Sequence, residues 1–405
     1  MNAAISLEVT PQTALHELLS RIQSVGTEDV RWREVAGRVL AEPIVSDRPS
    51  PSCDVSAMDG YAARIADLET LARSGLPVRG CVTAGTPAGE LQHGTAMKAM
   101  TGAMLPAGAE VVIRREDILE EGGERVRLRP GAAVPEFGQD IRRRGENLRQ
   151  NQHVLAAGIE VSSVVAGALA CFGQARVRVY RRVRVATLVT GDELRTPEEQ
   201  PEDWQLRDTN GPALRALLGR CPWAEHVIER RICDRRELLQ QAVQGALEQC
   251  DALILSGGVS MGDCDYVPSV VQSSGAEIVF HKLPIRPGKP VLSAIGRQGQ
   301  LILGLPGNPV SSLVTMRRFG VPALRARAGF CKPAPHVSQV LLDPPDAETL
   351  KLWWYRLVSL GENGSASLVS NHGSGDLVAS ARADGFIEVP PGQCGPGPWP
   401  FYQWL

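Results

Sequence analysis

DALILSGG, residues 251–258, is an apolar run of strand length that closes on two glycines. Two other stretches share its form, VRVATLVTG at 183–191 and QLILGLPG at 300–307, each with glycine at or near its end. They are separated by segments such as RRELLQQAVQGALEQC at 235–250, where apolar residues recur at helical spacing. Strand-length runs alternating with helical segments predict βαβ units and a mostly parallel sheet from Val183 to about Leu324.

The pattern differs on both sides of this region. From about Val39 to Arg182, short apolar runs such as LPVRG (76–80), AEVVI (109–113) and RVRLRP (125–130) are broken by glycine and proline, which predicts a β-rich, loop-rich region. Before it, Thr10-Pro11 reads as a helix start, followed by Leu15, Leu18, Leu19 and Ile22 at helical spacing. After Gly329, the alternating runs HVSQVLLD, KLWWYRLVSL and GFIEVP predict a small, barrel-like β domain. The 405 residues exceed what a single core sustains, so several domains are expected: α/β plus β-rich.

Composition narrows the function classes. A charged fraction of 22% and a net charge of −2 offer no global attraction to nucleic acid or anionic membrane. There is no secretory-type leader and no apolar run of the about 18 residues a membrane helix needs, so a soluble cytoplasmic location is expected. Nine cysteines without a CxxC pair suggest neither a zinc site nor a disulfide framework. The sequon at Asn363 is read as coincidence.

Ligands of α/β sheets sit beyond the carboxyl ends of the strands. Three such ends carry polar, glycine-rich loops: Thr190 to Glu193 (with Gly191 and Asp192), Ser256 to Gly262 (with Gly257, Gly258 and Ser260), and Gly304 to Pro309 (with Pro306, Gly307 and Asn308). Glycine lets backbone N–H groups approach an anionic oxygen, so such loops suit phosphate or pyrophosphate. One loop alone would be read as a tight turn, whereas three at one sheet edge favour a ligand site. Glu193, Asp234, Asp265 and the upstream Asp59 add carboxylates which, gathered near phosphate, imply magnesium; singly, each would be read as a helix cap or turn residue. Basic residues lie in GQDIRRRGE (138–146) and KLPIRPGKP (282–290), natural partners of an oxyanion, although a triple arginine alone would be read as a solvated face.

Gly258-Val259-Ser260-Met261-Gly262 also matches the nucleophile elbow of serine hydrolases, but no acid stands before His281 or His372 in a convincing setting. The nicotinamide, Walker and zinc-protease signatures are missing, which leaves magnesium-assisted chemistry on a phosphorylated ligand.

Seven stretches, in order, resemble the molybdopterin molybdenumtransferase family, which includes the bacterial MoeA proteins and the E domain of gephyrin: SAMDGYA (56–62), TGAMLPAGAEVV (101–112), GQDIRRRGE (138–146), TGDEL (190–194), SGGVSMGDCDYV (256–267), RPGKP (286–290) and GLPGNPVS (304–311). The resemblance implies an elongated, four-domain protomer in a homodimer. Its parts would be 1–50 with 140–182 as a dimerisation region, 51–139 as an inserted β-rich domain closing the partner's cleft, 183–328 as the molybdopterin-binding domain and 329–405 as the C-terminal β domain. The implied reaction joins molybdate to adenylylated molybdopterin with release of AMP, with Mg2+ as cofactor. A molybdopterin adenylyltransferase and recipient molybdoenzymes or their chaperones would be partners.

Carried over by motif, Asp59, Glu193, Asp234 and Asp265 would hold magnesium or position the pyrophosphate. Thr101, Arg142, Lys282, Arg286 and Lys289 would meet molybdate or phosphate, while Gly191, Asp192, Ser256, Gly257, Gly258, Ser260, Pro306, Gly307, Asn308 and Pro309 would shape the pterin pocket. The chain departs from the family pattern at Asn147, where aspartate is usual, and at Arg286, where lysine is usual. Asn147 keeps the open alternative of a non-catalytic molybdopterin carrier or scaffold. Amidohydrolases of the CinA type share the glycine loops, but the upstream matches favour the transferase.

Overall fold

The computed structural model describes residues 9–260, 262, 265–362 and 364–405. Met261, Asp263 and Cys264 of the SGGVSMGDCDYV match, together with Asn363 of the sequon, lie outside the described residues. The chain divides into two compact units, one of residues 43–155 with 171–173 and the other of the described residues up to Glu42 with 156–170 and 174–405. The boundaries expected near 50 and 140 fall inside the first of these, and those near 183 and 329 inside the second.

The larger unit is built on a six-stranded sheet. In chain order its strands are β1 (Val183–Thr190), β2 (Ala224–Ile232), β3 (Ala252–Ser256), β4 (Glu277–His281), β5 (Leu292–Ile295) and β6 (Leu301–Leu305). They lie in the order β2-β1-β3-β6-β5-β4, parallel from β2 to β6, with β5 and β4 antiparallel at one edge. The apolar runs are continuous because both faces are covered. Val183 and Val185 of β1, with Ala252 and Ile254 of β3, enter one core with the helices Pro11–Arg21 and Asn210–Gly219. Ala186, Leu188, Leu253 and Leu255 enter the other, against Arg236–Leu247 and Val267–Ser273. Thr10 caps the first helix as expected: its hydroxyl accepts from Thr13 N at 3.0 Å and its own N–H donates to Thr13 Oγ1 at 2.9 Å.

The expected C-terminal strands form a separate sheet, ordered Ile285–Arg286, Trp353–Leu360, Gly385–Val389, Trp399–Gln403, Ser338–Val340. Its first strand comes from the α/β region and pairs in parallel with Trp353–Leu360, carrying Arg286 into the C-terminal sheet. Arg318, Glu388 and Tyr402 form a buried polar knot beside it, with Arg318 Nε donating to Glu388 Oε2 at 2.8 Å and Tyr402 Oη donating to the same oxygen at 2.7 Å. Among the described residues no helix is long and apolar enough to cross a membrane.

The smaller unit holds another six-stranded sheet, ordered Val111–Arg114, Gly60–Ala63, Ala96–Ala99, Leu76–Val82, Arg125–Leu128, Ile118–Glu121. Short ladders join Ile141–Arg142 to Val55–Ser56 and His153–Leu155 to Ile44–Val45.

In the larger unit Asp251, just before β3, receives Arg181 through two hydrogen bonds of 2.6 and 2.7 Å and the Arg184 N–H at 2.8 Å. Burial alone would raise its carboxyl pKa, but these donors prevail and pull it down to about 2. A depressed folded-state pKa contributes stability that is full above the unfolded value of about 3.9 and is lost as pH falls towards 2, a difference of about 2 kcal/mol. Asp251→Asn is expected to lower stability by about that amount at pH 7. The gap between wild type and variant in urea unfolding should close between pH 4 and pH 2; a gap that is constant with pH would rule out the ion-pair account.

Candidate functional site

The parallel register sets three loops side by side. Val189 of β1 pairs with Ser256 of β3, which pairs with Leu305 of β6, so the three glycine-rich segments leave one edge at the same height. A cleft of about 880 Å³ opens there. Of the residues singled out in the sequence, Gly191, Glu193, Asp234, Ser256, Gly257, Gly258, Ser260, Asp265, Pro306, Gly307, Asn308 and Pro309 line it.

Close approach of backbones shapes this cleft. Gly257 has φ +94°, and a Cβ there would meet the Thr190 carbonyl oxygen at 2.7 Å. Its N–H donates to Leu305 O at 3.1 Å, and the Gly258 carbonyl accepts from Val267 N at 3.1 Å, joining the loop to the helix Val267–Ser273. Asp265 Oδ2 accepts the Gly262 N–H at 2.6 Å. His281 lies behind the loop with its Nε2 3.0 Å from the Val259 carbonyl oxygen, and burial pushes the imidazole pKa down. A neutral ring donating from Nε2 satisfies that contact.

The carboxylates are partly grouped. Asp192 and Asp234 exchange backbone-to-carboxylate bonds, Asp234 N to Asp192 Oδ1 at 3.1 Å and Asp192 N to Asp234 Oδ2 at 3.4 Å. Burial, and then the negative charges of Asp192 and Glu193, push the Asp234 pKa up against the Asp192 N–H. Among the described residues no three His, Cys, Asp or Glu side chains are arranged to hold a metal ion by themselves. Magnesium, however, usually takes one or two carboxylates and completes its shell with water and substrate phosphate. Glu193 and Asp234, which both line the cleft, are enough to supply those one or two carboxylates.

Sequence reasoning missed Asp208 and Asn210, which also line the cleft. Asp208 Oδ1 accepts the N–H groups of Asn210 and Gly211, each at 3.0 Å, at the start of the helix Asn210–Gly219. That aspartate before a helix was the available signal.

Arg286 and Lys289 line an adjoining cleft of about 1040 Å³, which shares Pro290, Pro306 and Asn308 with the first. Its other wall comes from the C-terminal sheet and includes Trp354, Arg356 and His372. Arg356 is ion-paired with Asp346 and stacks over Trp354 at 4.0 Å. Lys282 lines neither cleft; it ends the β4 hairpin at φ +68°, with its N–H on Val291 O at 3.0 Å.

Asp59, Thr101 and Arg142 belong to the smaller unit. Gly60 pairs with Ala99, so Asp59 and Thr101 leave the sheet together, and Asp59 Oδ1 accepts both the N–H and the hydroxyl of Thr101 at 2.7 Å. These bonds, the backbone one first, hold the Asp59 carboxyl below its ordinary pKa. Arg142 donates to Glu146 Oε1 at 2.6 Å and to Asn147 Oδ1 at 2.9 Å. Asn147 thus serves as an orienting acceptor for Arg142.

Residues 9–173 match the family model of the MoeA N-terminal region (domain I and II), and residues 186–326 match that of a probable molybdopterin binding domain. A molybdopterin molybdenumtransferase of Haemophilus influenzae is 36% identical over 319 residues, covering 78% of this chain and 76% of that protein. Another from Synechocystis is 30% identical over 381 residues, covering 91% and 93%. A crystal structure of the molybdopterin biosynthesis MoeA protein from Pyrococcus horikoshii aligns with a TM-score of 0.81 at 28% identity, covering 97% of this chain and 99% of that one.

Gly257→Ala is expected to combine left-handed strain with a collision against the Thr190 carbonyl, whereas Gly299→Ala, at φ +79° with nothing within 4 Å of its Cβ, carries the strain alone. The strain is on the order of 1–3 kcal/mol. Urea unfolding should show a larger loss for Gly257→Ala; equal losses would mean that the close approach at the cleft is relieved at no cost.

Proposed function

The chain belongs to the molybdopterin molybdenumtransferase family, and from that membership and its two adjoining clefts we propose that it inserts molybdenum into adenylylated molybdopterin, releasing AMP. The observation that carries this reading is the contrast between those clefts. One offers glycine backbone with Glu193, Asp234 and Asp265 beside a single arginine, Arg207; the other offers Arg286 and Lys289, with Arg356 paired to Asp346 and Glu348 opposite, and Pro290, Pro306 and Asn308 are common to both. A phosphorylated pterin held along the first cleft would present its reacting end to an oxyanion in the second.

Each group has a task that its chemistry supports. The Gly257 N–H is held by Leu305 O, so it is the backbone N–H groups of the loop beyond it, from Gly258 on, that would receive phosphate oxygens at short range. Of the carboxylates expected to hold magnesium, Glu193, Asp234 and Asp265 line the first cleft and would hold it against the pyrophosphate through one or two of their number. Bound there, the ion supplies charge neutralisation as the phosphoanhydride breaks and AMP leaves. Arg286 and Lys289 attract molybdate, the guanidinium offering paired donors and the ammonium a point charge. Asp59, Thr101 and Arg142 are the family-type residues of the smaller unit, and Thr101 holds the Asp59 carboxyl below its ordinary pKa.

We also read the chain as a homodimer working in the cytoplasm, with the enzyme that adenylylates the pterin and the recipient molybdoenzymes as partners. The helix Ser163–Cys171, SVVAGALAC, carries no charge, buries only Leu169, and leaves Val164 80% exposed. Such a surface favours a covering partner. Val164→Glu is expected to shift the protein from dimer to monomer in sedimentation; an unchanged dimer would move the interface elsewhere.

The deciding assay is a single turnover of purified protein with adenylylated molybdopterin, magnesium and molybdate, following AMP release and activation of a cofactor-free molybdoenzyme. Both signals are expected, with Asp59→Ala lowering the rate at least about 100-fold, the range for loss of a positioned charged group. Asn147→Asp is expected to change the rate by less than about tenfold, because the existing amide already orients Arg142. Binding without turnover, restored by Asn147→Asp, would instead establish a pterin carrier.

A further inference from the structure

Asn210 opens the helix Asn210–Gly219 and is 7% exposed. Its side-chain Nδ2 donates twice, to Ser256 Oγ at 2.8 Å and to the Gly307 carbonyl oxygen at 2.7 Å. These acceptors stand at the end of β3 and in the loop after β6, so one amide spans the two segments that form the cleft floor. The backbone N–H of Asn210 is itself held by Asp208 Oδ1 at 3.0 Å. The amide can face only one way, since a flip would set its oxygen against the Gly307 carbonyl oxygen.

The remaining atom gives the residue its meaning. Asn210 Oδ1 is closed to solvent and has no hydrogen-bond partner among the described residues. The net gain from two ordinary hydrogen bonds is comparable with the penalty of one stranded buried acceptor, so this asparagine adds little to fold stability. What it does supply is a fixed spacing between Ser256 and Gly307.

We propose that Asn210 is a positioning residue for the transfer reaction, setting the separation between the Ser256 to Gly258 cradle and the Pro306 to Pro309 loop so that the phosphorylated pterin fits between them. This rests on the transferase reading above. The substrate meets the two segments, and Asn210 acts through them.

The test compares wild type, Asn210→Asp and Asn210→Ala in steady-state turnover and thermal unfolding. Aspartate keeps the shape but turns acceptors towards the Gly307 carbonyl; alanine removes the donors without adding charge and decides the matter if the aspartate variant does not fold. The expected result is a KM for adenylylated molybdopterin raised at least about tenfold, kcat within about threefold, and a midpoint lowered by only a few degrees. An unchanged KM, or a loss of activity that follows unfolding alone, overturns the proposal. If wild type itself neither binds the pterin nor releases AMP, it is the transferase reading that has failed.

Discussion

A peptide carbonyl packed against a missing side chain governs the architecture of the larger unit. The Thr190 oxygen stands only 2.7 Å from where any Cβ at position 257 would have to go, so the ends of β1 and β3 come this close only over glycine. The same close approach lets Gly257 N reach Leu305 O and brings Gly307 within van der Waals range, a Cβ there lying 3.6 Å from Gly257 Cα. Bare backbone at the carboxyl edge of a parallel sheet is a surface of N–H donors. The proposed anion site at this edge would thus follow from strand packing.

The second cleft arises from a different cause. Two residues, Ile285–Arg286, leave the α/β region to pair with Trp353–Leu360, and the Trp353 N–H donates to Pro284 O at 2.9 Å. The turn that follows packs tightly, with Gly288 at φ +104° placed where a Cβ would meet Thr315 Cγ2 at 2.4 Å. Fixed at both ends, the RPGKP turn holds Arg286 and Lys289 on the wall between the α/β region and the C-terminal sheet. Lys282, a few residues earlier, precedes this pairing and stays with the β4 hairpin.

Those details separate what could be read in the sequence from what could not. The parallel sheet was legible because runs such as ALILS bury both faces and therefore carry no polar alternation, and the glycine loops because φ values like that of Gly257 leave no other residue economical. Asp208 left a signal, an aspartate before a helix, but Asn210 was not legible, since its meaning comes from partners 46 and 97 positions away. Lys282 and Lys289 stay neighbours across the hairpin, where Leu283 N donates to Lys289 O at 2.9 Å, yet only Lys289 lines a cleft, a difference that adjacency along the chain does not reveal. Nor could spacing reveal that Asn147 turns its oxygen to Arg142, because that contact depends on the tight turn Arg143 to Glu146, where Glu146 N donates to Arg143 O at 3.1 Å.

The last contact sets the charge balance around Arg142. Arg142 already has one carboxylate partner in Glu146, whose pKa it holds down. A second carboxylate at position 147 would surround the guanidinium with more negative charge than it carries, screening it from an incoming dianion. Asparagine preserves the direction of the donor while leaving the pair neutral. Asparagine at 147 therefore leaves Arg142 with a single carboxylate partner, and Arg286 holds its own positive charge on the wall of the second cleft.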